Sequence, residues 1–223
     1  MTNTALQQNH RFSGAMIKLG ARAGRIEFGD KSADYIDRGP VRYFARPNPT
    51  IDPAALRSRA VTVVNAQTSD GLRAAGFVRI MTGATVAVIK TGRFHPIQKW
   101  RNALNRAKSH NTFTSHRPLG PSDDWLFDAD LEQQKSKHFR ALPHSIVRNW
   151  PARQTILSVA WNGKVPIAGM LTLLHDHAAT YQIGWSGSAG RAVNAHHLLL
   201  AQQVEKLDAM GVETLELGTI DTH

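Results

Sequence analysis

The chain has 223 residues, enough to bury a core without staples, either as one large domain or as two smaller lobes. Hydrophobic residues make up 42% and charged residues 20%, too apolar for a disordered chain, and there is no cysteine, which excludes disulfides, thiolate zinc sites and cysteine nucleophiles. Lys and Arg number 27 against 17 Asp and Glu, and the formal charge of +10 favours anionic partners such as tRNA, nucleotides, CoA or anionic lipid, although a basic balance also serves solubility alone.

The opening stretch, MTNTALQQNHRFSG, has no apolar core behind a basic start, and no later run approaches the ~20 apolar residues of a membrane span, so the expected compartment is the cytoplasm. Phe12, Met16 and Leu19 fall at helical spacing and Gly20 supplies a stop, which predicts a first helix within Leu6 to Leu19. Arg25 to Phe28 alternates as a strand, Gly29-Asp30 reads as a turn, and Tyr35 to Phe44 reads as a second strand broken by Gly39-Pro40. Asp52 and Pro53 fit the cap and first position of a short helix to Arg57. A buried strand at Val61 to Val64, a helix at Ser69 to Ala75 stopped by Gly76, and strands at Val78 to Ile80 and Thr85 to Ile89 complete the first half.

The second half opens with a basic helix, Ile97 to His110, whose apolar stripe is Trp100, Leu104 and Ala107. Further helices are expected at Asp128 to Phe139 and at Pro143 to Trp150. Thr155 to Trp161 and Pro166 to Leu174 read as strands joined by Asn162-Gly163, a strong hairpin signal, and Thr180 to Trp185 extends the meander. A small-residue loop, Ser186 to Arg191, then leads to a helix capped by Asn194, striped by Leu200, Val204 and Leu207 and stopped by Gly211, before a last strand at Thr214 to Leu217.

Leu6-Gln7-Gln8, Lys99-Trp100-Arg101-Asn102, Tyr181-Gln182-Ile183-Gly184-Trp185, Ala195-His196-His197-Leu198-Leu199, and Leu217-Gly218 with Asp221-Thr222 resemble, in order and spacing over nearly the whole chain, the FemAB-like proteins of the GNAT acyltransferase superfamily. The resemblance implies an α/β fold of two degenerate GNAT-like lobes, residues 1–92 and 93–223, each a mixed sheet flanked by helices. It also implies transfer of an acyl or aminoacyl group to an amine by direct attack, with no covalent intermediate. Acyl-CoA or aminoacyl-tRNA would be the donor, with no other cofactor firmly implied, and the acceptor would be a small-molecule or cell-wall-precursor amine.

A glycine loop entering a helix exposes N–H groups at the positive end of the helix dipole, so Gly187, Ser188, Ala189, Gly190 and Arg191 are candidates to hold the donor's phosphates; a plain strand-to-helix turn needs the same glycines. The match to the pyrophosphate loop of GNAT enzymes is loose, and CoA is not implied by motif. Lys99 and Arg101 are candidate phosphate contacts on the basic helix, whose charges otherwise form a solvated face. Tyr181 and Trp185 alternate along one strand, as substrate contacts or as core. Asp221 is a candidate base, although an aspartate closing a strand also forms turns. Eleven histidines include His175-X-His177 and His196-His197, but neither comes with a carboxylate cluster, and no metal site is expected.

The sequence ends at His223, just after a strand that in relatives is followed by a further helix and strand. The expectation is therefore a truncated second lobe with an open sheet edge, a possible homodimer contact. The alternative to an enzyme is a non-catalytic or truncated GNAT-fold binding protein with a basic anion-binding surface.

Overall fold

The computed structural model describes residues 5–220, which divide into two compact units. Residues 5–84 together with Ser145–Trp150 form the first, and residues 85–144 with 151–220 the second.

In the first unit, α1 (His10–Lys18) is capped by Asn9, whose side chain accepts from Arg11 N at 3.0 Å, and it gives way at Leu19 to Gly20 in the left-handed region. The strands β1 (Arg22–Phe28), β2 (Lys31–Arg38), β3 (Val41–Ala45) and β4 (Val61–Asn65) form a sheet in chain order, antiparallel except for β3 with β4. The segment read as one broken strand, Tyr35 to Phe44, is a hairpin: Gly39, at φ +59°, turns the chain so that Arg38 pairs with Val41. Ala33, Phe44, Ile51 and Leu56 are the core. Gln8 stitches the unit together, donating to Asp34 O and Ala45 O at 3.1 and 2.7 Å while its Oε1 accepts from Asp34 N at 2.9 Å. The Asp34 carboxylate in turn accepts from Arg25 and Ser13. The Gln8 of the Leu6-Gln7-Gln8 motif is thus a structural clamp.

Three expectations fail here. Ser69 to Ala75 makes turns rather than a helix, because Gly71 inside it takes positive φ (+72°). Val78 to Ile80 forms no strand, with Val78 84% exposed. The Val61 strand is a sheet edge with Val61 itself exposed, not a buried strand.

The second unit contains β5 (Thr85–Lys90), α2 (Gln98–Ser109), β6 (Phe113–Arg117), α3 (Asp124–Ser136), α4 (His144–Arg148, shared with the first unit from Ser145), β7 (Thr155–Asn162), β8 (Val165–His175), β9 (Ala178–Ser186), α5 (Ser188–Ala192), α6 (Ala195–Ala209) and β10 (Thr214–Ile220). Its sheet runs β5-β10-β9-β8-β7-β6, antiparallel everywhere except β9 with β10. The β7-β8-β9 meander follows the expectation, with Gly163 at φ +58° in the first turn. The expected open edge is absent: β5 pairs along β10 from Thr214↔Lys90 to Ile220↔Thr85, so the last strand lies inside the sheet.

Helices α3 and α6 cover opposite faces of this sheet. Ala168 and Met170 of β8 pack with Ala195 and Leu199 of α6, whereas between them a Cβ on Gly169 would meet Trp125 and Leu126 of α3 at 2.7 and 3.0 Å. Leu198, Leu199, Val204 and Leu207 are the buried leucines and valine of α6, with Leu200 half-buried. Asn194 precedes α6 as expected, yet it sits at φ +52° with no side-chain cap bond; it is the pivot between α5 and α6.

Candidate functional site

Parallel pairing between β9 and β10 lasts only from Thr214↔Ala178 to Glu216↔Thr180. At that point each strand carries an extra residue: Gln182, between the pairs Thr172↔Tyr181 and Leu171↔Ile183, and Leu217, between Glu216↔Val88 and Gly218↔Ala87. Bulges bend and twist a strand, so the two part here, β9 remaining on β8 and β10 on β5. The result is a fork that begins after the third residue of each strand and opens toward their carboxyl ends, the side on which open α/β sheets form clefts, and backbone N–H groups facing the gap lose ladder partners.

The bulge also reverses the alternation of β9. Tyr181 and Trp185, expected on one face, lie on opposite faces: the Trp185 ring meets Trp125 of α3 at 5.6 Å and 72°, whereas Tyr181 packs toward α6. The Tyr181 ring lies along its own strand as far as Gly184, where a Cβ would come within 1.3 Å of the hydroxyl oxygen, so only glycine fits. The hydroxyl is 3.2 Å from Nε2 of His196, in the first turn of α6. Gln133 of α3 donates to Gly184 O at 3.0 Å and holds that stretch of β9 in place.

Burial, and after it the charge of Asp130, pushes the Tyr181 hydroxyl above its usual range. Burial, and after it the neighbouring His197, lowers the His196 imidazole to about 4, so it is neutral near pH 7. Burial likewise lowers His197, which lies against Trp100 of α2 at 5.2 Å. The buried Asp130 carboxylate accepts from Gln134 at 2.6 Å and bonds His144 Nε2 at 2.6 Å.

The segment read as a glycine loop is a short helix. Gly187 precedes α5, and its N–H donates to Ile167 O of β8 at 3.0 Å. Gly190 lies so close to β8 that a Cβ would be 2.1 Å from the same carbonyl oxygen. Ser188 and Ala189 fill the first turn, and Arg191 is exposed and donates to Ser186 O. Both glycines therefore have a packing role.

Lys99 and Arg101 are exposed on α2, Arg101 bonded to Gln98 Oε1 on its own helix at 2.5 Å. They flank Trp100, and through its contact with His197 the start of α2 is tied to the first turn of α6. Asp221 lies outside the described residues. Among the described residues no group of three His, Asp or Glu is placed to hold a metal ion, and His175 bonds Thr180 Oγ1 at 2.8 Å. Sequence reasoning did not single out His196, Gly184, Gln133 or Asp130 as site residues. The available signal was Gly184, since a glycine inside a strand marks a close approach.

No family model matches the sequence, and no curated protein matches it. Among solved structures, FemX superposes with a TM-score of 0.73 at 12% identity, over 99% of this chain and 85% of that one. The C-terminal domain (DUF2156) assigned to a lysylphosphatidylglycerol synthetase of Agrobacterium fabrum gives 0.62 at 13% identity over 96% and 75%, and L-PGS of Bacillus licheniformis 0.59 at 11% over 99% and 79%. At these identities the likeness is one of fold. The chain therefore carries the FemX fold, the architecture that its resemblance to FemAB-like GNAT proteins implies.

Proposed function

We propose that the second unit transfers an acyl or aminoacyl group from an anionic donor to an amine at the fork between β9 and β10. The observation that carries this reading is the divergence of two parallel strands at paired bulges, Gln182 and Leu217. An extended ester or thioester arm can lie in such a gap, accept hydrogen bonds from strand N–H groups, and present its carbonyl to donors that stabilise the oxyanion during direct attack. The donor would be acyl-CoA or aminoacyl-tRNA, and the acceptor a small-molecule or cell-wall-precursor amine. The first turn of α5 with Arg191, and Lys99 and Arg101 on α2, are the groups proposed to meet the donor's phosphates. Asp221, one residue past β10, is retained as a candidate base. A cytoplasmic setting belongs to the same reading, and no helix among the described residues is long and apolar enough to cross a membrane.

A second reading, anion binding without catalysis, draws on the packing roles of Gly187 and Gly190, which explain both glycines without a ligand. Thermal-shift titration with acetyl-CoA, CoA and aminoacyl-tRNA tests the donor, because a ligand that binds the folded state raises its melting temperature. A shift with CoA compounds selects a thioester donor, a shift with aminoacyl-tRNA alone selects the aminoacyl donor, and no shift with any of them refutes the transfer reading.

A further inference from the structure

The Tyr181 hydroxyl combines three features that core packing alone does not require. It reaches the diverging part of β9 by lying across Gly184, where any Cβ would displace the ring. Its hydrogen-bond partner is a titratable ring, His196 Nε2 at 3.2 Å, rather than a backbone carbonyl. Neither side chain is sealed from solvent, although both touch the apolar clusters or helix behind them. The other titratable groups around the pair are His197 on α6 and Asp130 on α3.

We infer that Tyr181 touches the attacking amine and that His196, in place of the candidate base Asp221, acts through it as the proton acceptor, an inference that rests on the acyl-transfer reading above. The amine nitrogen attacks the donor's carbonyl carbon, forming the C–N bond as the bond from that carbon to the leaving oxygen or sulfur breaks. The proton released by nitrogen passes to Tyr181 Oη while the Tyr181 proton passes to His196 Nε2; the same path returns one proton to the leaving oxygen or sulfur. The relay uses the His196 tautomer that carries its hydrogen on Nδ1, so that Nε2 accepts from the phenol at 3.2 Å. Tyr181 is then the catalytic residue and His196 a positioning and relay residue behind it.

The test is steady-state transfer by the full chain, with acetyl-CoA and aminoacyl-tRNA as donors and a primary amine as acceptor, for the wild type, Tyr181→Phe, His196→Gln and the double variant. Tyr181→Phe is expected to lower kcat by roughly 10²-fold with the donor KM unchanged, the size of a lost general acid or base. His196→Gln should lower kcat in the wild type and add nothing once Tyr181 is Phe, a coupling that a purely structural histidine does not show. A wild type that transfers the acyl group and a Tyr181→Phe variant equally fast overturn the relay and leave the transfer reading standing. Additive effects of the two substitutions overturn the role given to His196. A wild type inactive with both donors refutes the transfer reading and the relay with it.

Discussion

Replacing Gly190 with alanine separates a packing glycine from a ligand-binding one. The added Cβ would stand 2.1 Å from Ile167 O, 2.9 Å from Ile167 C and 2.8 Å from Ser186 Oγ. Two of these atoms are backbone of β8, an interior strand that cannot swing aside as a side chain can. The start of α5 must lift instead, and the bond from Gly187 N to Ile167 O lies in its path. Overpacking and one lost hydrogen bond together cost about 2–4 kcal/mol, which in a chain of this size lowers Tm by roughly 5–15 °C. The control is Gly14, inside α1 with nothing within 4 Å of a Cβ; Gly14→Ala should stabilise by about 0.5–1 kcal/mol. Calorimetry on both variants reads the difference. A Gly190→Ala protein that melts with the wild type would refute the packing account and return Gly190 to the role of ligand contact.

Other outcomes follow from the charged groups. The His196 pKa falls from 6.5 to about 4 on folding, so the unfolded chain takes up a proton first; stability drops as pH falls from about 6.5 to about 4 and levels off below, by at most about 3 kcal/mol. Urea unfolding of His196→Gln should show a shallower drop across that window, with His116 and His197, also lowered by burial, supplying the remaining slope. Burial works to raise the Asp123 carboxyl, but the Arg117 guanidinium, bonded through two nitrogens at 2.6 and 2.5 Å, with Gly120 N–H and Trp125, holds it below its ordinary value of 3.8. The stability it contributes is present above pH 3.8 and is lost as pH falls through the lower folded value, and Asp123→Asn should remove that acid limb while leaving the pH 6.5–4 slope intact. If Lys99 and Arg101 meet phosphates, replacing both with alanine should lower the slope of log affinity against log salt for tRNA by about 2, as a filter-binding series would read; an unchanged slope removes α2 from the donor site.

Elements with strong local signals were legible in the sequence: α1 with its Gly20 stop, the β7-β8-β9 meander and α6 with Gly211 after it. β6 was not, because Phe113-Thr114-Ser115-His116-Arg117 lacks apolar alternation and is a strand by its pairing with β7. The failed Ser69–Ala75 helix shows one positive-φ glycine, Gly71, overriding the helical reading. Tyr181 and the strand-to-helix passage after it were singled out as candidates from their residues, but the fork was hidden. It depends on one extra residue in each of two strands distant in sequence, and a bulge has no residue-type signature of its own. The same bulge placed Tyr181 and Trp185 on opposite faces against the simple period of two.

Acyl transfer at the fork differs from binding alone in what becomes of the donor. Single-turnover reaction of the protein with donor labelled in its acyl group, acetyl-CoA or aminoacyl-tRNA, and a primary amine measures this directly. Transfer by direct attack yields a labelled amide and free CoA or tRNA in equal amounts, with no label left covalently on the protein. Donor that binds and is recovered intact, with no amide formed, would contradict transfer and leave an anion-binding protein of the FemX fold in its place.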